Sequence, residues 1–347
     1  MEVAWKGSDI PTCCELLAAQ IFASGISPIA PYVVEILNGH VYFHQATVTD
    51  SNKNILLDVS DAMVPEQNRW NTAQHSISNK PYLPFARKWR GELVVVSSPF
   101  ANNYYHWLFD TLPRLKSEVC GTSSRLYLHQ YRNFQKDSLS LLEIPEQRIV
   151  RAEVNRHLKA DVLFVPSLPQ PPLPAPPSVW RPPFASRNSC DFLRAELLPR
   201  ALHAEAALGK GRKPRRIYIQ RKGARSISNE SDLLSLLSPL GFEPVRLEQL
   251  NLQQQISLFS QAEAVIGVHG AGLSNVVFCQ PESQIIELLP TAWALPYYKS
   301  ICKYVGLRYE SLSVESLVQD CIFKDIEAPV VVNLDLLEEL LDKTGLG

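Results

Sequence analysis

No excess of charge of either sign marks this chain: 34 lysines and arginines stand against 35 aspartates and glutamates. A balance this close provides no bulk field to attract nucleic acid or an anionic membrane. Cysteine is sparse and scattered. Cys13, Cys14, Cys120, Cys190, Cys279, Cys302 and Cys321 form no C-x-x-C pair, so neither a zinc site nor a disulfide framework is suggested. Reduced thiols in a cytoplasmic protein are the expectation. A long uninterrupted apolar run is also missing. The nearest, "LLAAQIFASGISPIAPYVV" over 16–34, is broken by Gln20, Ser24, Ser27, Pro28 and Pro31, and no basic segment precedes it as in a signal peptide. It reads as buried helix followed by loop, so no transmembrane segment is expected; peripheral membrane association stays open.

Several site signatures are absent too. D-x-D, the Walker loop, the G-x-S-x-G elbow and H-E-x-x-H do not occur, which removes the commonest metal–diphosphate, NTPase, esterase and zinc-protease readings. No metal or other cofactor is expected. His40 and His44 would share a strand face, but with no third ligand nearby they read as structural.

What is present is an ordinary globular composition, 46% hydrophobic and 20% charged over 347 residues, enough for two domains with real cores. The clearest boundary is "VPSLPQPPLPAPPSVWRPP", 165–183, where nine of nineteen residues are proline; that excludes helix and central strand and predicts a semi-rigid extended linker or a long surface loop, with an irregular loop inside one domain as the alternative. The expected domains are 1–180 and 181–347. In the first, "GHVYFHQATV" and "NILLDVS" suggest a hairpin; "ELVVVSS", a helix from about Asn103, "RLYLH", another helix and "ADVLFVPS" then alternate. In the second, a helix broken near Pro199 precedes "RIYIQ", "NESDLLSLLSPL" with Asn229 as cap, "EPVRL", "LQQQISLFSQA", "AVIGV", "GLSNVVF" and "SQIIELL". Strands alternating with helices at this spacing imply βαβ units and parallel sheets. The fold class is α/β, with a cleft between two halves as the natural ligand site.

Four stretches carry chemistry. "AVIGVHGAGLSNVVF", 264–278, places His269 and two glycines where a strand gives way to a helix. Gly270 and Gly272 permit positive φ and close backbone approach, and the helix start aims N–H groups at an anion, with His269 and Asn275 as further donors. A tight turn with a satisfied histidine is the bland alternative. "RIYIQRKGARSISNE" sets Arg221, Lys222 and Arg225 just beyond a strand, as a diphosphate pocket would need; a solvated basic loop is the alternative. Glu287, an acid inside the apolar "IIELL", accepts either from ribose hydroxyls or from an internal arginine. "NNYYHWLFDTLPRL" stacks His106, Asp110 and Arg114 at i, i+4 and i+8 on one helix face. An imidazole one turn from a carboxylate makes a general-base pair, or an ion pair on an amphipathic helix. Pro113 should bend that helix by removing a bond to Phe109.

Together, "NYYHWLFDTLPRL", "IYIQRKGARSISNE", "VIGVHGAGLSNVVF" and the following "IIELL" resemble glycosyltransferase family 61 in order and spacing, over roughly residues 90 to 290. The family includes N-acetylglucosaminyl- and xylan-modifying enzymes of eukaryotes and bacterial proteins assigned to capsule or surface polysaccharide synthesis. The resemblance implies a GT-B-like fold of two Rossmann-like domains, an inverting mechanism, and a nucleotide-sugar donor, expected to be a UDP-sugar, held by the C-terminal domain. The acceptor would be a glycan or glycolipid hydroxyl. By the same resemblance, Arg221, Arg225, Glu230, His269, Gly270, Ala271, Gly272, Leu273, Asn275 and Glu287 become donor-site candidates, and His106 and Asp110 acceptor-side candidates for the base. The chain departs from the family pattern at Gln220, usually serine, and at Ser226, often a second arginine. Two rival readings are an inactive nucleotide- or sugar-binding protein and a dinucleotide oxidoreductase. The latter lacks its G-x-G-x-x-G fingerprint.

Overall fold

The computed structural model describes residues 2–3, 31–56, 59, 63–64, 69–70, 77, 82–169, 185–207, 213–291, 297–317 and 327–347. Most of the segment 16–34 and of the proline-rich stretch 165–183 lies outside the described residues. The chain divides into two compact units, Met1–Ser189 and Cys190–Gly347. Each is of mixed α/β architecture built on its own sheet.

In the N-terminal unit the sheet runs Ile149–Arg151, Leu126–Leu128, Arg87–Val95, His157–Pro166, His40–Tyr42, Thr47–Thr49, with Val33–Leu37 also paired to His157–Pro166. The first four of these strands are mutually parallel. The parallel part begins on Arg87–Val95, moves outward twice, and returns on the other side with His157–Pro166. The order therefore reverses between the ends of those two strands. The hairpin forms inside "GHVYFHQATV", His40–Tyr42 against Thr47–Thr49, and "NILLDVS" contributes one bridge, Ile55 to Thr49. Left-handed backbone at Phe43 and Ala46 makes the turn, so His44 leaves the strand and does not share a face with His40. Instead His40 Nδ1 lies 2.8 Å from His157 Nε2, and the His44 ring stacks on His129. Val41, Val48, Leu93, Val95, Leu163 and Val165 form the core of this sheet.

In the C-terminal unit the order is Phe242–Val245, Arg216–Ile219, Ala264–Val268, Gln284–Pro290, Arg308–Ser316, closed by Val330–Val331. All neighbours but the last pair are parallel. This is a doubly wound 2-1-3-4-5 arrangement, reversing between Arg216–Ile219 and Ala264–Val268. Ala264–Val268 is buried at every position, as a strand covered on both faces must be. Tyr218, Ile266, Val268, Ile286 and Leu288 pack with helix residues Leu233, Leu237 and Leu337 as the core.

Two prolines, Pro113 expected to bend its helix and Pro199 to break one, are accommodated by the same device. A π-turn over Trp107–Thr111 lets Leu112 N–H bond to the Trp107 carbonyl, and Pro113 follows as the chain tightens to a 3-10 turn. A π-turn over Leu193–Leu197 lets Leu198 N–H reach the Leu193 carbonyl, and Pro199 follows within a helix that continues to Ala207. Widening the turn ahead of the proline makes room for a ring that would meet the carbonyl four residues back. The helix at Pro199 is thus not broken, contrary to the sequence expectation.

Candidate functional site

At the C-terminal edge of the second sheet, the loops after Arg216–Ile219 and Ala264–Val268 diverge from adjacent strands. Arg221 bridges them: its Nη1 donates to the His269 carbonyl at 3.0 Å. Gly270 makes room for this. Its backbone is extended, φ 161°, not in the left-handed region expected for it, and a Cβ there would lie 1.9 Å from Arg221 Nη1. Gly272 is also a matter of close approach, since a Cβ would sit 3.0 Å from Leu247 Cδ1. The Tyr298 hydroxyl donates to the Gly270 carbonyl at 2.6 Å. With both carbonyls tied back, a 3-10 helix starts at Ala271 and runs to Phe278. Among the described residues, the Ala271 and Gly272 N–H groups have no backbone acceptor, as the first turn of a helix dictates.

Arg225 completes the crevice. It holds a left-handed conformation, φ 58°, with its N–H bonded to the Glu327 carbonyl at 3.0 Å, and its buried Nε has no partner among the described residues. Burial lowers the pKa of both arginines, and the neighbouring Arg225 charge lowers that of Arg221 further. Among the described residues no carboxylate forms an ion pair with either. Glu248 and Glu327 attract them only from beyond ion-pair distance; two half-buried cations side by side without a direct ion pair are costly, and an anion placed between them would relieve the cost. Lys222 is exposed.

The remaining candidates divide between the crevice and its support. His269 is buried, and its Nδ1 lies 2.5 Å from Glu287 Oε1. Glu287 is fully buried, and its Oε2 accepts from the Tyr309 hydroxyl at 2.6 Å. The internal partner of Glu287 is therefore a histidine and a tyrosine rather than an arginine. Glu230 accepts from the Tyr218 hydroxyl at 2.7 Å and from Gln220 Nε2 at 3.0 Å. Gln220, the residue that departs from the family pattern, also accepts from Arg246 Nε at 2.9 Å. Asn275 turns inward: its Nδ2 donates to Gln255 and to the Gly272 carbonyl, and it is fully buried. Leu273 is buried beside it, while Ala271 is half-buried. Asn229 does not cap its helix through its side chain; it clasps the Val332 backbone on both sides. Tyr298, Tyr309 and Tyr218 were not legible as site residues, because nothing in their local sequence marks which strand end they support.

In the N-terminal unit, His106 Nδ1 and Asp110 Oδ2 lie 2.6 Å apart, both partly buried. Arg114 does not join them in a row. Its buried guanidinium donates to the carbonyls of Val96, Ser97 and Pro166, sealing the reversal point of that sheet, and burial lowers its pKa to about 10. The Phe109 carbonyl that Pro113 cannot engage accepts from Ser189 Oγ at 2.7 Å. The two sheets thus treat their reversal points differently: three backbone carbonyls accept from the buried Arg114 in one, whereas in the other Arg221 engages one carbonyl and Arg225 Nε has no partner among the described residues. Among the described residues no three His, Cys, Asp or Glu side chains are grouped to hold a metal ion, and no helix is long and apolar enough to cross a membrane.

These features define an α/β protein whose C-terminal unit carries a cationic crevice at the reversal of a doubly wound parallel sheet. Glycosyltransferase 61 matches residues 104–286, just over half of the chain, and the chain belongs to that family. It is similar to alpha-1,3-arabinosyltransferase XAT3 of Oryza sativa subsp. japonica, 32% identical over 126 residues, covering 33% of this chain and 22% of the relative. Xylan glycosyltransferase MUCI21 of Arabidopsis thaliana is 29% identical over 111 residues, 30% of this chain and 22% of the relative. A longer match, 26% over 220 residues, is to beta-1,2-xylosyltransferase XYXT1 of Oryza sativa subsp. japonica, covering 57% of this chain and 44% of the relative. The chain thus spans from about a fifth to under half the length of these relatives.

Proposed function

We propose that the protein is an inverting glycosyltransferase of GT-B-like architecture that moves a sugar from a nucleoside diphosphate sugar, with UDP as the nucleotide, to a hydroxyl of a glycan or glycolipid. The C-terminal unit holds the donor and the N-terminal unit supplies the base. The acceptor oxygen attacks the anomeric carbon as the bond from that carbon to the diphosphate breaks, and the electron pair leaves on the phosphate oxygen. The acceptor proton passes to the His106–Asp110 pair, where the carboxylate orients the ring and stabilises its charged form. Arg221, Arg225, His269 and the free amides at Ala271 and Gly272 take the charge of the departing diphosphate. With no D-x-D in the sequence, these groups are proposed to do so without a metal. Relatives named arabinosyl- and xylosyltransferases support a pentose donor and a role in polysaccharide synthesis.

The observation that supports this reading is the adjacent arginine pair, which among the described residues has no direct ion pair and keeps one buried guanidinium nitrogen without a partner. A thermal-shift panel of UDP, GDP, CDP and their sugars, with and without EDTA, tests it. A ligand that binds only the folded state raises Tm by an amount set by its concentration over Kd. A rise with uridine nucleotides that EDTA leaves unchanged is expected. No rise with any nucleoside diphosphate would remove the donor assignment.

A further inference from the structure

Across three neighbouring strands, Tyr309, Glu287 and His269 form a diagonal row that the register alone dictates. Tyr309 is paired with Ile285, and Glu287, two residues on, is paired with Gly267. His269 lies two residues beyond Gly267. Each step advances two positions, so all three side chains stand on one face of the sheet, climbing to its C-terminal edge. The chain of contacts follows that row, 2.6 Å from the Tyr309 hydroxyl to Glu287 and 2.5 Å from Glu287 to His269 Nδ1.

We infer that Tyr309 is a positioning residue for the donor site, acting through Glu287 to fix which nitrogen of His269 carries the proton. This rests on the donor reading given above. An ionised carboxylate only accepts hydrogen bonds, and Glu287 has two oxygens. Tyr309 occupies one with its O–H, so the carboxylate cannot rotate away, and the other oxygen draws the proton of His269 to Nδ1. Nε2 is then the edge that faces the donor, accepting from a hydroxyl in the neutral ring and donating to a phosphate oxygen only in the doubly protonated one, and the ring is held at one angle. A partner of this kind orients a histidine as a carboxylate orients a metal-ligating imidazole. The surrounding groups are consistent with a ring held from behind. Tyr297 and Tyr298 lie with ring centroids 5.9 and 5.3 Å from His269, and Arg221 engages only the His269 carbonyl.

Replacing Glu287 by glutamine gives a directional test. The amide offers one acceptor and one donor in place of two acceptors. Tyr309, which must place its proton, claims the amide oxygen, so the NH2 group faces the ring and the tautomer reverses to Nε2–H. Removing the tyrosine hydroxyl as well frees the amide to turn over and restores Nδ1–H. Long-range 15N–1H spectra of histidine-labelled full-length protein, with the His269 signals identified by their loss in His269→Gln, read the tautomer directly at alkaline pH. Nδ1–H in the native chain, Nε2–H in Glu287→Gln and Nδ1–H again in Glu287→Gln/Tyr309→Phe is the expected series. One tautomer in all three, or a mixture in the native chain, would overturn the assignment.

Calorimetric titration with UDP gives the second arm. Tyr309→Phe should weaken UDP about tenfold in the native background and leave affinity unchanged in His269→Gln, where there is no ring to orient. Equal losses in both backgrounds would reduce Tyr309 to a structural residue. Failure of the native chain to bind UDP would overturn the donor reading, whereas the tautomer series would still decide the role of Tyr309.

Discussion

The Arg221 guanidinium fills the space that a side chain at Gly270 would need: a Cβ there would stand 1.9 Å from Nη1 and 3.0 Å from Cζ. Gly270→Ala should therefore displace Arg221 while leaving the backbone unstrained, since an extended φ of 161° is open to any residue. Loss of one charge-assisted contact to phosphate, about 1.5–3 kcal/mol, weakens UDP about 10- to 100-fold. Calorimetry should show that loss with Tm within a few degrees of the native value. An unchanged affinity would mean that Arg221 does not touch the donor.

Arg225 leads to a stability trade. A left-handed non-glycine residue costs about 1–2 kcal/mol, and here it also buries a nitrogen that has no partner among the described residues. Such strain is retained where function needs it. Arg225→Gly is expected to raise Tm while abolishing the shift that UDP produces. A lower Tm, or an intact UDP shift, would show that the conformation serves the fold alone.

The strand rhythm of the C-terminal unit was legible because Ala264–Val268 and Gln284–Pro290 are apolar nearly throughout, and the turn at His269 because two glycines stand within four residues. The partners of Glu287 were not. His269 and Tyr309 lie 18 and 22 residues away in sequence, and no local period encodes which residues neighbouring strands place diagonally. Asn275 misled for a related reason. At the start of an α-helix a polar residue suggests a ligand contact, but the tighter 3-10 turn directs it inward to Gln255. Pro113 read as a bend and Pro199 as a break because the compensating π-turns precede them and carry no residue signature. The i, i+4 contact of His106 with Asp110 is local and was legible; the carbonyls that capture Arg114 lie 17 to 52 residues away.

The His106–Asp110 pair should separate turnover from donor binding. Once a donor is identified, Asp110→Asn and His106→Gln are each expected to lower kcat by about 10²- to 10⁴-fold, the usual contribution of a positioned base. Their UDP affinity should match that of the native protein. Transfer measured with a labelled sugar and a glycan acceptor checks the first statement, and calorimetry the second. Native turnover in both variants would place the base elsewhere.

Ser189 is tied to Pro113 through the Phe109 carbonyl. Ser189→Ala leaves that buried acceptor unbonded, at a cost of about 1–3 kcal/mol. In a Pro113→Ala background the new N–H gives Phe109 an alternative donor, so the same substitution should cost measurably less. Denaturant unfolding of the four proteins yields the coupling, and strict additivity would show that the two residues do not share this carbonyl.

His129 sets a pH dependence of stability in the N-terminal unit. It is fully buried, neither ring nitrogen has a partner among the described residues, and burial, aided by His44, lowers its pKa to about 4. The unfolded chain binds the proton near pH 6.5 and the folded chain does not. Stability is therefore at its full value above pH 6.5 and declines as pH falls towards 4, at about 1.4 kcal/mol per pH unit, for a total of about 3 kcal/mol. Below pH 4 both states are protonated and this contribution levels off. His129→Phe keeps an aromatic ring, removes both unpartnered nitrogens, and cannot take up a proton in either state. Urea unfolding at pH 7.5 and 4.5 should give a difference smaller by about 2–3 kcal/mol in the variant than in the native protein. Equal differences in the two proteins would mean that the His129 ring is reached by solvent or by a donor in the folded state.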